Sequence, residues 1–178
     1  MKKFVKALSL IIASLCMAFA FASCSGEKSE SNDNNGTKGA EYYITYKGTR
    51  IELGKKADSV LSALGEPKSE KELPDCGDFG KQTKYEYDNF MIYTLTNDNG
   101  ETIDQIEFLN DMAETEKGIC IGDASDNVIS AYGNATQKSN TSIIYTKAFD
   151  GYKLHLKFTV KDGEIDKINF IREFNTAE

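Results

Sequence analysis

Two stretches of the chain share one arrangement of apolar and polar positions. Residues 53–65 read LGKKADSVLSALG and residues 121–133 read IGDASDNVISAYG, an offset of 68 that also pairs Ile51 with Ile119. Val60, Leu61 and Leu64 in the first, and Val128, Ile129 and Tyr132 in the second, fall at i, i+1 and i+4. That spacing predicts a helix of about ten residues with one buried stripe. Gly65 and Gly133 close the two stretches where a left-handed residue is wanted, and Pro67 reinforces the first stop. Asp123 stands where it can cap the second helix, with Asp126 in its first turn; Lys55 holds the capping position of the first, which predicts the weaker start.

Period-two alternation follows each helix. Tyr152, Leu154, Leu156, Phe158 and Val160 alternate with Lys153, His155, Lys157 and Thr159, and Ile168 and Phe170 return to the same buried side after a loop of Asp162, Gly163 and Glu164 with a bulge. Residues 142–146 supply a preceding strand. In the first half, residues 84–87, 90–95 and 103–109 occupy the same places, with 41–46 as a lead strand. Residues 99–108 match 162–170 at an offset of 62 to 63, so the shortfall from 68 lies in an extra loop over Glu72–Gly80. Helices this short do not persist alone and need a sheet to lie on. The expectation is an α+β chain of two tandem repeats, 41–112 and 113–178, each a short helix packed on a small antiparallel sheet.

The helix phrase, Gly-x3-Asp-x-Val-hydrophobic-x-Ala-x-Gly, followed by strands that close through an Asn-Gly or Asp-Gly hairpin, is stated twice over residues 49 to 174. That layout resembles the tandem fold of the β-lactamase inhibitor proteins, and the helix phrase also resembles the small outer-membrane assembly lipoproteins. The resemblance implies sheets joined into a concave face that grips a partner protein. It does not extend to inhibition, because the cysteines are too few for a disulfide in each repeat and no loop matches the inhibitory contacts.

The amino terminus adds an address. Three lysines in the first six residues, then 17 uncharged residues from Ala7 to Ser23, form an export signal over residues 1–23. Phe21-Ala22-Ser23-Cys24 resembles the lipobox of bacterial lipoproteins, which implies acylation of Cys24 and a protein held on the outer face of the cell membrane. Ordinary cleavage after Ala22 and retention of the run as an anchor are the alternatives. Residues 24–40 beyond the cysteine hold almost nothing that can be buried, and they read as a tether. Losing the leader takes the formal charge from −7 to −10. So acidic a chain repels nucleic acid and anionic headgroups, and acyl chains on Cys24 would make the membrane link.

Candidate chemistry is sparse. Cys76 and Cys120 are the remaining mature thiols; outside the cytoplasm they read as a disulfide worth roughly 3–4 kcal/mol, with two unpaired thiols as the alternative. One histidine and no Cys-x-x-Cys spacing argue against a metal. His155 lies on the lysine-lined side of its strand with no nucleophile or acid placed beside it by sequence, and reads as a solvated sheet position. No nucleophile elbow, phosphate loop or zinc-protease helix is present, and Asn97–Gly100 reads as a hairpin turn because Ile106 stands where a calcium loop needs Glu. Neither an enzyme nor a cofactor is expected.

Met91, Tyr93 and Leu95 remain. An offset of 62 turns them to the face away from the helix, where an apolar row would be a docking surface; an offset of 63 buries them. The expectation is a lipid-anchored surface protein with a non-catalytic protein-binding or envelope-associated role. The competing class is a carbohydrate or small-ligand binder, suggested by 19 Phe and Tyr residues, among them Tyr42, Tyr43 and Tyr46.

Overall fold

The computed structural model describes residues 42–74 and 80–175. The leader, Cys24, the tether and Cys76 lie outside the described residues. The described residues fall within one compact unit, Thr37–Glu178.

The chain opens with a hairpin of β1 (Tyr43–Tyr46) and β2 (Thr49–Glu52). Lys47 and Gly48 both take positive φ, the two-residue turn whose twist matches its strands. After α1 (Ala57–Leu64) come β3 (Ser69–Glu72), β4 (Lys81–Glu86), β5 (Phe90–Asn97) and β6 (Gly100–Phe108). The second helix, α2 (Ser125–Tyr132), is followed by β7 (Gln137–Lys138), β8 (Ser142–Phe149), β9 (Tyr152–Lys161) and β10 (Glu164–Phe174).

The expectation of two matching helix-on-small-sheet repeats does not hold. β3 to β10 form one antiparallel sheet of eight strands in the order β3-β4-β5-β6-β10-β9-β8-β7, beside a separate sheet of two. The reason is at the seam. β6 and β10 pair directly through Glu107 with Asn169, Ile106 with Phe170 and Gln105 with Ile171, so neither is left as an edge with unpaired backbone groups. The segments that lead into the helices also differ: β1 and β2 precede α1, whereas residues 113–121 contain no strand and pair with that hairpin by one isolated β-bridge, between Thr115 and Ile44. Sheets of two and eight strands likewise overturn the likeness to the tandem inhibitor and assembly-lipoprotein folds.

One side of the large sheet carries the core. Phe90, Ile92, Ile103, Ile106, Leu156, Phe158, Ile168 and Phe170 are buried there with Val60 and Leu64 of α1, Val128 of α2, and Ile44 and Ile51 of the hairpin. Each fully buried aliphatic or Phe side chain contributes about 1.5–3 kcal/mol against exposure. The outermost strands are harmless as edges: β3 is Ser-Glu-Lys-Glu and wholly exposed, and β7 has two residues.

Both helix starts depart from expectation. The capping positions are Lys56 and Ala124, and neither side chain caps. Asp123 turns back to accept from the Cys120 backbone N–H at 2.9 Å. Backbone anchoring replaces the caps. Gly54 N–H donates to Ile103 O and Ile103 N–H to Lys55 O; Gly122 N–H donates to Ile165 O and Ile165 N–H to Asp123 O. Each helix is thereby tied to a strand of the sheet just before it begins.

Candidate binding face

Strand parity decides what the far side of the sheet displays. On β5, Phe90 and Ile92 are buried in the core and Met91 and Tyr93 are half-buried on the opposite face. Leu95 shares the face of Met91 and Tyr93, but it is 3% exposed and stands apart from the main core cluster. The accessible part of the expected row is therefore Met91 and Tyr93.

The same face continues across the strands. Tyr93 lies opposite Lys84 of β4 and Gln105 of β6, and Gln105 opposite Ile171 of β10. Ile171 faces His155 of β9, which faces Thr146 of β8. One row down, Met91, Glu107, Asn169, Lys157 and Ile144 follow one another in the same way. The result is a mixed surface with Met91, Tyr93, Ile144 and Ile171 half-buried among polar and charged groups. Tyr93 is held in place from both sides. Its hydroxyl donates to Glu107 Oε2 at 3.3 Å and lies 3.9 Å from Met91 Sδ. Burial first, then the Glu107 charge, pushes the phenol above its ordinary range.

His155 has neighbours that sequence reasoning missed. Thr146 Oγ1 lies 3.0 Å from Nδ1 and Glu173 Oε2 lies 2.8 Å from Nε2. A signal for Thr146 was there: Asp150 and Gly151 make a two-residue turn between Phe149 and Tyr152, and counting back from it sets Thr146 against His155. The chain of hydroxyl, imidazole and carboxylate fixes the ring and pins the end of β10. It lies on an open sheet surface among regular cross-strand pairs. A groove of about 120 Å³ lies elsewhere, lined by Ile44, Thr45, Tyr46, Phe90, Met112, Ala113 and Glu114.

A buried ion pair marks the place where β6 and β10 part. Their pairing stops at Gln105 and Ile171, beside a bulge at Asp104. Arg172 reaches into the gap, its Nε donating to Asp104 Oδ1 at 3.1 Å and its Nη2 to Thr102 Oγ1 at 2.8 Å. The two side chains are 9% and 12% exposed. Burial raises the Asp104 carboxyl above its usual range, and the opposing pull of Arg172 does not cancel it.

The expected disulfide is contradicted. Cys120 is a free thiol, with Sγ 3.4 Å from Asp123 Oδ2. Burial, and then the hydrogen bond to that carboxylate, raises the thiol and keeps it protonated, the opposite of an activated cysteine. In the lead hairpin, Arg50 lies 3.5 Å over the ring of Tyr43, Tyr46 meets Phe90 edge-on, and Tyr42 is buried.

Among the described residues there is no group of three or more metal-ligating side chains, and no helix is long and apolar enough to cross a membrane. Comparison with protein-family models, with curated proteins and with solved structures finds no match to this chain.

Proposed function

We propose that the protein is a lipid-anchored surface protein that acts without catalysis, by noncovalent contact between the open face of its large sheet and a protein or envelope component. The leader and the Phe21-Ala22-Ser23-Cys24 sequence support the address; acyl chains on Cys24 would hold the chain to the membrane, and the tether would let the sheet reach outward. One observation carries the binding role. The sheet buries one face under two helices and a hairpin, while its other face presents Met91, Tyr93, Ile144 and Ile171, four large apolar side chains only half-buried.

The experiment is a quantitative pull-down from solubilised native envelope with the wild type and with Tyr93→Asp/Ile171→Asp, each checked for folding by circular dichroism. The reading expects at least one envelope protein to be recovered by the wild type and lost by the folded variant. Equal recovery of every protein by both contradicts it.

A further inference from the structure

The two halves of the open face differ in charge. On the β3–β6 half, Lys84 lies 3.9 Å from Glu86 and Glu107 accepts from Tyr93, which leaves Lys71 of the edge strand β3 as the one lysine of that half without an ion pair among the described residues. On the β8–β10 half, Lys153 and Lys157 of β9 and Lys167 of β10 form no ion pair among the described residues; Glu173, the cross-strand neighbour of Lys153, is turned to His155. Three lysines without an ion pair among the described residues, on a chain of formal charge −7, form a local basic strip. Two apolar side chains stand within it, Ile144 opposite Lys157 on one side and Ile171 opposite His155 on the other. A polyanionic glycan has no use for two isoleucines; an acidic protein segment carrying an apolar side chain matches both features.

Such a segment exists on the chain itself. Among the described residues the exposed large hydrophobics are Leu109 at 40% and Met112 at 74%, both in the connection from β6 to α2. Asp111 and Glu114 flank Met112, and both are exposed. The connection is held in shape. Leu109 N–H donates to Asn89 O at 2.9 Å, Asn110 Nδ2 to Asp88 O at 3.0 Å, and Met112 N–H to Asn110 Oδ1 at 3.0 Å. These bonds preorganise an acid-flanked apolar knob in water, so little ordering cost is left for a partner to meet.

We infer that the β8–β10 half of the open face receives the Met112 knob of a second copy of this chain. The inference rests on the open face being a docking surface. Knob and socket are different surfaces, so the contact is head-to-tail and propagates from copy to copy. Repulsion between two acidic chains does not forbid it, since charges more than about 8–10 Å apart are screened at physiological salt while the local Lys-to-Asp and Lys-to-Glu contacts are not. Copies anchored in one membrane would also meet at a high effective concentration, which lets a weak contact operate.

The test is photo-cross-linking of the full-length protein in its native membrane. Met112→benzoylphenylalanine is expected to yield a covalent dimer under ultraviolet light, with the adduct mapping to β9 or β10. Lys153→Glu/Lys157→Glu should lower the dimer yield about tenfold. Adding Asp111→Lys/Glu114→Lys to those changes should restore it, which separates lost complementarity from lost folding. Monomer alone, an adduct on another part of the chain, or an adduct only with a different protein overturns the inference. A parallel probe, Tyr93→benzoylphenylalanine, separates the two claims: if it captures a protein while position 112 captures no second copy, the open face stands as a docking surface and self-association falls. If neither position yields an adduct, both fall.

Discussion

Ile92 and Tyr93 are neighbours on β5 with opposite fates, one buried in the core and the other half-exposed on the far face. Ile92→Ala should cost about 2–5 kcal/mol, as a cavity in a packed core does. Tyr93→Gln should cost less, about 1 kcal/mol, since it removes one weak hydrogen bond and a ring that is only partly buried. Urea unfolding of the two variants measures the contrast. Glu116 presents a different case. Both of its carboxylate oxygens are buried with no hydrogen bond of good geometry, and burial raises its pKa, with its own backbone N–H first, then the Tyr132 hydroxyl, the Tyr43 backbone and the Lys117 charge opposing the shift only in part. The folded protein therefore holds that proton more tightly than the unfolded chain, and stability falls as pH rises from the unfolded carboxyl range through the folded pKa. Glu116→Gln should raise the melting temperature at pH 7 and leave it nearly unchanged at pH 4, as thermal scans at the two values would show.

The elements show what the sequence could and could not disclose. Both helix stripes were legible because a 3.6-residue period is local, and Val60, Leu64 and Val128 are buried as that period requires. The alternation on β9 was legible for the same reason. The face of Met91 and Tyr93 was not, because the two candidate offsets differed by one residue. The structure shows why the even count applies. The β5–β6 hairpin runs three pairs past Thr94–Ile103 before its turn, and the β9–β10 hairpin runs one pair past Val160–Ile165. The difference is two, so inward and outward positions keep their sides. The anchoring of the helix starts was also hidden, since it uses backbone groups that carry no residue signature. Long-range pairing was hidden most of all: Arg172 and Asp104 lie 68 residues apart. Their meeting depends on β6 pairing with β10. Arg172→Met should cost about 3–5 kcal/mol by leaving a buried carboxylate uncompensated, and adding Asp104→Leu should recover most of it. A double-mutant cycle in urea reads the coupling directly.

At the scale of the whole molecule, one continuous sheet replaces two small ones, and that is the step sequence periodicity could not reach. A repeated phrase signals similar local conformations, and Gly65 and Gly133 share a φ of 78°. It says nothing of how strands from the two halves pair, and that pairing creates a single broad face instead of two narrow ones. The address belongs to this scale as well. Cys24→Ala should abolish incorporation of a labelled fatty acid and shift the protein from the membrane fraction to the medium, measured by fractionation and gel fluorography.

The central claim is that the sheet face bearing Met91 and Tyr93 is open in the free protein and covered in its native setting. Hydroxyl-radical footprinting of the purified protein and of the same protein on intact cells, read by mass spectrometry, tests this at named side chains. Oxidation of Met91 and Tyr93 in the purified protein, together with their protection on cells, is the predicted result. Equal oxidation of both residues in the two settings, or their resistance in the purified protein, contradicts it.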